Sequence, residues 1–338
     1  MATPTERYHN HGIYADLIKQ YIAHKRSLGY KMEDIEERLG AFDRLTIDRK
    51  ETVIGITKDL YEAYAQHRPM ESRYNLYGRL SMIKSFSRYL QLMGYESYIP
   101  VLPKYRSTFT PHIYTKSEMS AIFHECDKLY VARHYTYSMK CMMPALIRLL
   151  YGTGIRIGEA LKLKNADVDL QQGLIMLREC KNGQDRLLPL SLSVREICKD
   201  YAAYKLRCGL QATPDRAFFT SPDGHSPAES TINKLFQTVL IRAGIHYEGG
   251  KKGPRLHDLR HTFCVNALVK MSESGQDLYY SMPVLMTYMG HKSLSATNRY
   301  VRLTEEMYPG LLKQVDAAHK YVFPDIGVNL EEEENEDD

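Results

Sequence analysis

The sequence predicts a mainly α-helical chain of two domains. A helical N-terminal domain is followed by a mixed, mostly α-helical C-terminal domain with a small antiparallel β-sheet. Three observations lead to this prediction. Residues 13–94 carry helical apolar periodicity almost without interruption. Pro100, Pro103 and Pro111 then break that pattern. Beyond residue 114 helical periodicity returns, with one β-hairpin signal inside it.

Length and composition agree with two globular domains. The chain has 338 residues, of which 43% are hydrophobic and 25% charged, so both domains can bury proper cores. No apolar run approaches the about 18 residues of a membrane-spanning helix, and residues 1–12 form a polar leader. We therefore expect a cytoplasmic protein without membrane contact. Six cysteines without a Cys-x-x-Cys pair favour free thiols over disulfides or zinc sites.

Charge is distributed unevenly along the chain. The net charge is +4, but residues 331–338 contain seven acidic side chains, so the rest of the chain carries +11, which is 4 plus 7. A basic body favours a polyanionic partner, because each phosphate that Lys or Arg neutralises releases counterions. Residues 325–338 are expected to form an acidic, disordered tail.

The N-terminal domain, residues 13–99, is predicted to contain four or five helices. They are expected over residues 13–28, 32–45, 57–67 and 72–93. On the last helix the apolar residues gather on one broad side, whereas Arg73, Lys84 and Arg88 fall on another. From periodicity alone this basic stripe is as consistent with a solvated face as with a surface that binds a polyanion.

Residues 100–113 are expected to form an extended linker, and residues 114–324 the C-terminal domain. Within that domain the β signal covers residues 173–179, a turn at Lys181-Asn182-Gly183, and residues 185–190. Asn-Gly between two apolar runs is a strong hairpin signal. It places Lys181 at or beside the tip of a two-stranded turn.

Six polar side chains of the C-terminal two-thirds supply what a phosphoryl-transfer site requires. Basic groups can stabilise a phosphodiester that gains charge as it becomes five-coordinate, and a tyrosine can attack it. The candidate residues are Arg156, Lys181, His257, Arg260, His291 and Tyr300. Taken alone, Tyr300 is one of 26 tyrosines and would more often be a packing residue.

Arg156 follows Gly152-Thr153-Gly154 and is expected at the opening of a helix, where anions bind favourably. Glu159, one turn later, could orient its guanidinium. A nucleotide-binding glycine loop is the rival interpretation, but the spacing of the last glycine is wrong and a helical segment precedes it. A plain surface pair between Arg156 and Glu159 also remains open.

His257 and Arg260 are three residues apart on a predicted helix, so both are expected to face the same way, off the core, where they can reach one phosphate. A metal site is the alternative, because His257-Asp258-x-x-His261 approximates the zinc motif His-Glu-x-x-His. Asp is shorter than Glu, and a cation between the two histidines disfavours a divalent metal. Gly290 is expected to end a helix over residues 283–289 just before His291.

These motifs, in this order, resemble those of the tyrosine recombinases, the phage integrase family, over roughly residues 10–323. The similarity lies in Gly-Thr-Gly-Ile-Arg-Ile-Gly-Glu-Ala-Leu at 152–161, Lys-Asn-Gly-Gln-Asp-Arg-Leu-Leu-Pro-Leu at 181–190, His-Asp-Leu-Arg-His-Thr at 257–262, and Gly-His at 290–291 with Tyr300 nine residues later. The resemblance implies a SAM-like core-binding domain at 13–99 that contacts DNA through Arg73, Lys84 and Arg88, and a catalytic domain at 114–324.

The resemblance also implies the role of each candidate. Tyr300 would be the nucleophile that forms a covalent 3′-phosphotyrosine, with Arg156 and Arg260 on the scissile phosphate and Glu159 in support. His257 and His291 would donate or exchange protons. Lys181 would protonate the 5′ oxygen that leaves. Alternatively, Lys181 is a solvent-facing lysine of the turn without a catalytic role. Arg178 would then be the first substitute for it as the acid. Neither a cofactor nor a metal ion is implied.

The implied activity is site-specific recombination of double-stranded DNA, most simply for integration, excision or transposition of a mobile element. Four protomers would assemble on two DNA sites from a chain that is a monomer or weak dimer when free. Alternatives are a Xer-like chromosome or plasmid dimer resolvase, a relaxing topoisomerase that acts as a monomer, and a DNA-binding regulator without catalysis.

Overall fold

The computed structural model describes residues 12–30, 32–69, 71–103, 110–129, 137–178, 185–247, 253–276, 278–290 and 300. The chain divides into two compact units, Met1–Phe109 and Thr110–Asp338. Each unit encloses a hydrophobic core of its own. A second, smaller apolar cluster in the C-terminal unit includes Tyr300.

The N-terminal unit contains four described helices. They are α1 (Ala15–Ser27), α2 (Glu33–Asp48), α3 (Lys58–Ala65) and α4 (Arg73–Leu92). The side chains of Thr57 and Ser72 cap α3 and α4 by accepting hydrogen bonds from backbone amides of the first turn, at 3.1 and 3.2 Å. Such caps satisfy amides that have no partner inside the helix. The helices predicted for this region are thereby confirmed.

Helix α4 has two faces. Ile83, Phe86 and Leu90 are fully buried against the other helices. Arg73 and Arg88 are exposed, and Lys84 is half-buried. The separation of apolar and basic residues that periodicity predicts is therefore present, and the basic stripe lies at the surface of this unit.

The C-terminal unit is mostly helical, with a three-stranded antiparallel sheet in the order β1-β2-β3. Its described elements are α5 (Lys116–Lys128), α6 (Met143–Thr153), α7 (Ile157–Lys162), β1 (Val168–Asp169), β2 (Leu174–Leu177), β3 (Arg186–Pro189), α8 (Leu192–Arg207), α9 (Glu229–Arg242), α10 (Asp258–Glu273) and α11 (Leu278–Met289). The predicted fold class, mainly α with a small antiparallel sheet, is confirmed.

Two details differ from the sequence prediction. Strand β1 was not predicted, because its two residues, paired with Ile175 and Leu174, are too few to show a period of two. Helix α11 begins at Leu278 rather than at Pro283, so the proline lies inside the helix. Prolines are expected in the first turn of a helix, which is why the sequence suggested a later start. The hairpin turn that contains Lys181 lies outside the described residues.

Helix α6 is the centre of the C-terminal core. It packs on α5, α8 and α10, and most of its side chains are buried. Arg148, which interrupts its apolar run, reaches the surface and forms two hydrogen bonds of 2.8 Å to Asp127. No helix in the described part of the chain is long and apolar enough to cross a membrane.

Five cysteines are described, and none of these five forms a disulfide. Cys126, Cys198 and Cys264 are buried, and burial raises the pKa of each thiol to about 12. These three thiols therefore stay protonated and act as small apolar side chains.

Lys205 is a fully buried lysine that joins three segments of the C-terminal unit. Its ammonium donates hydrogen bonds to Asn165 Oδ1 at 3.0 Å and to the carbonyl oxygens of Phe218 and Ala217 at 2.8 and 3.4 Å. The ring of Tyr201 lies 5.8 Å from the ammonium. Burial lowers the pKa of Lys205 to about 8, and the surrounding oxygens compensate for the lost water.

Lys205→Met is expected to destabilise the protein by about 2–3 kcal/mol, because it leaves buried oxygen acceptors without a donor. That corresponds to a fall of about 4–12 °C in the melting temperature, measured by differential scanning calorimetry. Lys199→Met is the matched control, since Lys199 lies on the same helix and only forms a surface pair with Glu196. Equal melting temperatures for the two variants would contradict the prediction.

Candidate active site

Arg156 stands at the junction between α6 and α7, where it is the N-cap residue of α7. Glu159, one turn into α7, accepts hydrogen bonds from the Arg156 backbone amide and from Arg156 Nη1, both at 2.9 Å. Burial alone would raise the pKa of Glu159. The hydrogen bond from the Arg156 backbone amide and the charges of Arg186 and Arg156 outweigh burial and lower the pKa of Glu159. A charged Glu159 therefore fixes the direction of the Arg156 side chain.

Gly154 permits the sharp turn before Arg156. Its φ of 63° lies in the left-handed region that favours glycine. A Cβ at this position would stand 2.4 Å from Cδ1 of Phe263 on α10. The close approach brings the Gly154 carbonyl oxygen within 2.7 Å of Nη1 of Arg260.

Arg260 is a buried cation that connects three segments of the site. Its Nη1 donates to Gly154 O, and its Nη2 donates to Met289 O at 2.8 Å. Only 3% of its surface is exposed. Burial, followed by the positive charge of Arg156, lowers the pKa of Arg260. An arginine nevertheless remains charged near pH 7, because its ordinary pKa exceeds about 12.

Arg186 is a site residue that the sequence did not single out. On β3 its Nη2 donates to Glu159 Oε1 at 2.9 Å, and its Nη1 donates to Tyr288 O at 2.7 Å. Within the strand, Arg186 is half-buried on the same side as the buried Leu188, while Leu187 is 56% exposed. An inward charge beside an outward leucine reverses the usual pattern.

Arg186 and Arg260 together hold the last turn of α11. They bind the carbonyl oxygens of consecutive residues, Tyr288 and Met289. Gly290 follows with a φ of 66°, and a Cβ there would stand 2.6 Å from Nη1 of Arg186. The predicted end of the helix at Gly290 is confirmed. His291 itself lies outside the described residues.

His257 precedes α10 and remains exposed, although protein atoms surround much of its ring. Partial removal from water lowers its pKa to about 4, and the charges of Arg260, Arg255 and Arg156 act in the same direction. Because solvent still reaches the ring, burial and the three arginine charges act together to lower the pKa of His257. His257 is therefore neutral at pH 7.

The spacing of His257 and Arg260 predicts that both side chains face away from the core. The structure contradicts this prediction for Arg260. His257 is exposed, whereas Arg260 is enclosed, because α10 is covered by protein on most sides and its buried residues do not form a single stripe. The arginine therefore presents its charge from within the protein.

Tyr300 is 5% exposed and belongs to the apolar cluster that includes Cys264, Leu268 and Met289. Its hydroxyl lies 3.0 Å from Nδ1 of His261. In its ionised form it would interact with the charge of Arg260. The structure thus brings Arg156, Arg260, His257 and Tyr300 into one region.

The remaining candidates are placed as follows. Lys181 lies outside the described residues. Its alternative, Arg178, binds Asp167 through Nε at 2.6 Å. Arg73, Lys84 and Arg88 belong to the N-terminal unit. Among the described residues, no group of three or more His, Cys, Asp or Glu side chains is arranged to hold a metal ion.

The charges around His257 predict how its ring titrates. In a nuclear magnetic resonance titration, the His257 ring, assigned by comparison with His257→Gln, should change its shift with a midpoint well below pH 6. Because the folded state lowers this pKa, the histidine's contribution to stability is complete above the unfolded pKa of about 6.5 and is lost as pH falls through about 4. The native protein should lose stability relative to His257→Gln over that interval. A titration midpoint of the His257 ring at pH 6.5 or above would contradict this prediction.

Residues 113–307 match the phage integrase family. Integrase/recombinase y4rB of Sinorhizobium fredii is 29% identical to this chain over 313 residues, which cover 90% of this chain and 97% of the relative. Tyrosine recombinase XerC of Oceanobacillus iheyensis is 28% identical over 246 residues, which cover 70% of this chain and 72% of the relative.

Two solved structures share the fold. The Tn1549 transposon integrase in complex with a circular intermediate DNA has a TM-score of 0.62 at 17% identity, over 84% of this chain and 93% of that one. A lambda integrase dimer bound to a core site has a TM-score of 0.59 at 17% identity, over 84% and 94%. Since the family match covers more than half of its length, the chain belongs to the phage integrase family, the tyrosine recombinases, which are enzymes that cleave and rejoin DNA strands.

Proposed function

We propose that this protein is a site-specific recombinase that cleaves and rejoins double-stranded DNA through a covalent 3′-phosphotyrosine at Tyr300. The phenol oxygen attacks the scissile phosphorus and forms the ester as the bond from phosphorus to the 5′ oxygen breaks. A 5′ hydroxyl from a partner strand then attacks the ester and releases the tyrosine. Because the ester conserves the energy of the broken bond, the cycle needs neither a nucleotide nor a cofactor.

The observation that carries this proposal is the meeting of two arginines and a tyrosine from three distant segments. Arg156 lies at the start of α7, Arg260 lies in α10, and Tyr300 packs against α10 and α11. Planar guanidinium groups match the non-bridging oxygens of a phosphate. Both are fixed by protein partners before DNA arrives, as electrostatic catalysis requires.

The other roles follow from charge and position. A neutral His257 at pH 7 can accept or share a proton at a phosphate oxygen, while the charges of Arg156 and Arg260 attract the phosphate beside it. Lys181 is proposed as the acid that protonates the leaving 5′ oxygen, and His291 as a second donor to the phosphate.

Integration, excision or transposition of a mobile element is the biological role that we favour. The relative y4rB bears the name integrase/recombinase and aligns along almost its whole length. A Xer-like resolvase is the second candidate, because XerC relatives align at 28% identity over more than two thirds of the chain. A relaxing topoisomerase and a regulator without catalysis gain no support from these relatives.

DNA is the proposed partner of both units. Arg73 and Arg88 on the exposed face of α4 carry charges that can neutralise phosphates in a groove. Lys84 lies on the same face. We further propose that four protomers act on two DNA sites in the cytoplasm, and that the free chain is a monomer or weak dimer.

The proposal predicts a protein–DNA adduct. Nicked duplexes that tile the DNA on both sides of the gene for this chain would be incubated with the protein and separated on denaturing gels. A nick beside the cleavage site lets the short 5′ strand diffuse away, so the 3′-phosphotyrosine should accumulate on one or a few duplexes. The adduct should vanish on protease treatment and be absent with Tyr300→Phe. An adduct that forms with Tyr300→Phe would place the nucleophile elsewhere.

Arg156→Lys should slow adduct formation about 10²–10³-fold, because a lysine cannot hold a phosphate through two parallel hydrogen bonds. Its matched control is Arg148→Lys, which changes an arginine–carboxylate pair at the surface of α6. The control should cleave at the native rate, and single-turnover kinetics would measure both. A native rate for Arg156→Lys would remove this residue from the proposed phosphate site.

A further inference from the structure

His261 touches the proposed nucleophile. Its Nδ1 lies 3.0 Å from the Tyr300 hydroxyl, and the two ring centres are 5.4 Å apart. The side chain is 8% exposed, so little bulk water competes for this hydrogen bond. An imidazole nitrogen is therefore within hydrogen-bond distance of the phenol and can accept a proton that leaves it.

A carboxylate stands on the other side of the same ring. Asp258, one helical turn earlier on α10, is fully buried, and its Oδ1 lies 4.0 Å from Nε2 of His261. That separation is too long for a hydrogen bond but short enough for a strong attraction once the ring is charged. Arg255 holds Asp258 in place through its backbone amide at 2.8 Å and its Nη2 at 2.9 Å.

We infer that His261 accepts the proton of the Tyr300 hydroxyl as the phenol oxygen attacks a phosphodiester. This inference rests on the proposed function. The O–H bond of the phenol breaks, its proton moves to Nδ1, and the freed electron pair forms the bond to phosphorus. The bond from phosphorus to the 5′ oxygen breaks in the same reaction, and that oxygen receives a proton from a separate acid. The imidazolium returns its proton to the phenol oxygen when the ester is resolved.

This role differs from that of the two histidines already proposed to serve the phosphate. His257 and His261 lie one turn apart with ring centres 5.0 Å apart, and their planes are nearly perpendicular, at 83°. Partial removal from water, followed by repulsion from guanidinium neighbours, lowers the pKa of His257 and keeps its ring neutral at pH 7. His261 instead has a carboxylate beside Nε2, which favours its charged form.

The charges around His261 are mixed in sign. His257, Asp258 and Tyr300 lie beside it, with Arg255 behind Asp258, and Arg260 and Cys264 lie on the side of Tyr300. Arg260 opposes protonation of the ring but also stabilises a developing phenolate. Asp258 favours protonation. Cys264 remains a neutral thiol near pH 7, because burial raises its pKa to about 12.

Two substitutions separate proton acceptance from simple positioning. His261→Asn can place an amide oxygen near the position of Nδ1 and keep the hydrogen bond, but an amide does not accept the proton. His261→Ala loses both functions. His246→Asn, at an exposed histidine between α9 and α10, is the control. Circular dichroism melting would show that each variant folds.

The decisive measurement is the single-turnover rate of adduct formation against pH, on the nicked duplex that the native protein cleaves. At pH 7 both His261→Asn and His261→Ala should be slowed about 10²–10⁴-fold, the range of general-base catalysis. The deficit should shrink about tenfold for each pH unit between 7 and 9, since hydroxide then generates the phenolate of a tyrosine whose ordinary pKa is about 10. His246→Asn should follow the native profile.

A duplex with sulfur in place of the bridging 5′ oxygen isolates the proton accepted from the nucleophile. A thiolate leaves without protonation, so such a duplex should restore cleavage to Lys181→Ala but not to His261→Asn. If His261→Asn cleaves at the native rate, or if its deficit is the same at pH 7 and 9, the inference is wrong and His261 only packs or positions.

One measurement needs no DNA. In the ¹⁵N-labelled free protein, Nδ1 of His261 should have the chemical shift of an unprotonated acceptor nitrogen, and this shift should change in Tyr300→Phe. A protonated Nδ1 would overturn the inference even if no DNA substrate is found. Absence of an adduct with the native protein on every duplex would instead count against the proposed function. A native adduct together with normal His261 variants would count against the inference alone.

Discussion

The guanidinium of Arg260 is the interaction on which the arrangement of this site depends. A single planar group binds the carbonyl oxygens of Gly154 and Met289, which are 135 residues apart, so it joins the turn before α7 to the end of α11. A buried cation is costly unless its donors are satisfied, and here backbone oxygens help to satisfy them. The same charge that a phosphate would meet therefore also holds the turn before Arg156 and the end of α11.

Backbone conformation makes this close meeting possible. Gly154 and Gly290 both adopt positive φ, and at both a Cβ would collide with a side chain of the site, Phe263 in one case and Arg186 in the other. The glycines thus serve two physical needs, a left-handed turn and the absence of a side chain. Arg186 uses the space beside Gly290 to reach Tyr288 O and Glu159. Through Glu159 it links the second strand of the predicted hairpin to Arg156.

Local patterns predicted the fold class well, because the caps and apolar stripes of helices are formed by residues close together in the sequence. Such local features include the helix starts at Lys58 and Arg73, the turn at Gly154 and the helix end at Gly290. Arg186 and His261 could not be assigned in the same way, since their partners are 27 and 39 residues away. The enclosure of Arg260 was also missed, because α10 is buried on several sides and its sequence contains no single apolar stripe to show which residues face the core.

Two carboxylates explain how so many basic groups can share one region before a phosphate arrives. Glu159 lies between Arg156 and Arg186, and Asp258 lies between Arg255 and the ring of His261. In each case the carboxylate is shared with an arginine outside the set predicted from the sequence. Each acid thereby orients a reactive group without fully neutralising it, because its charge is divided between two partners. The positive potential that remains can act on the charge that develops at phosphorus, where preorganised donors contribute most to rate.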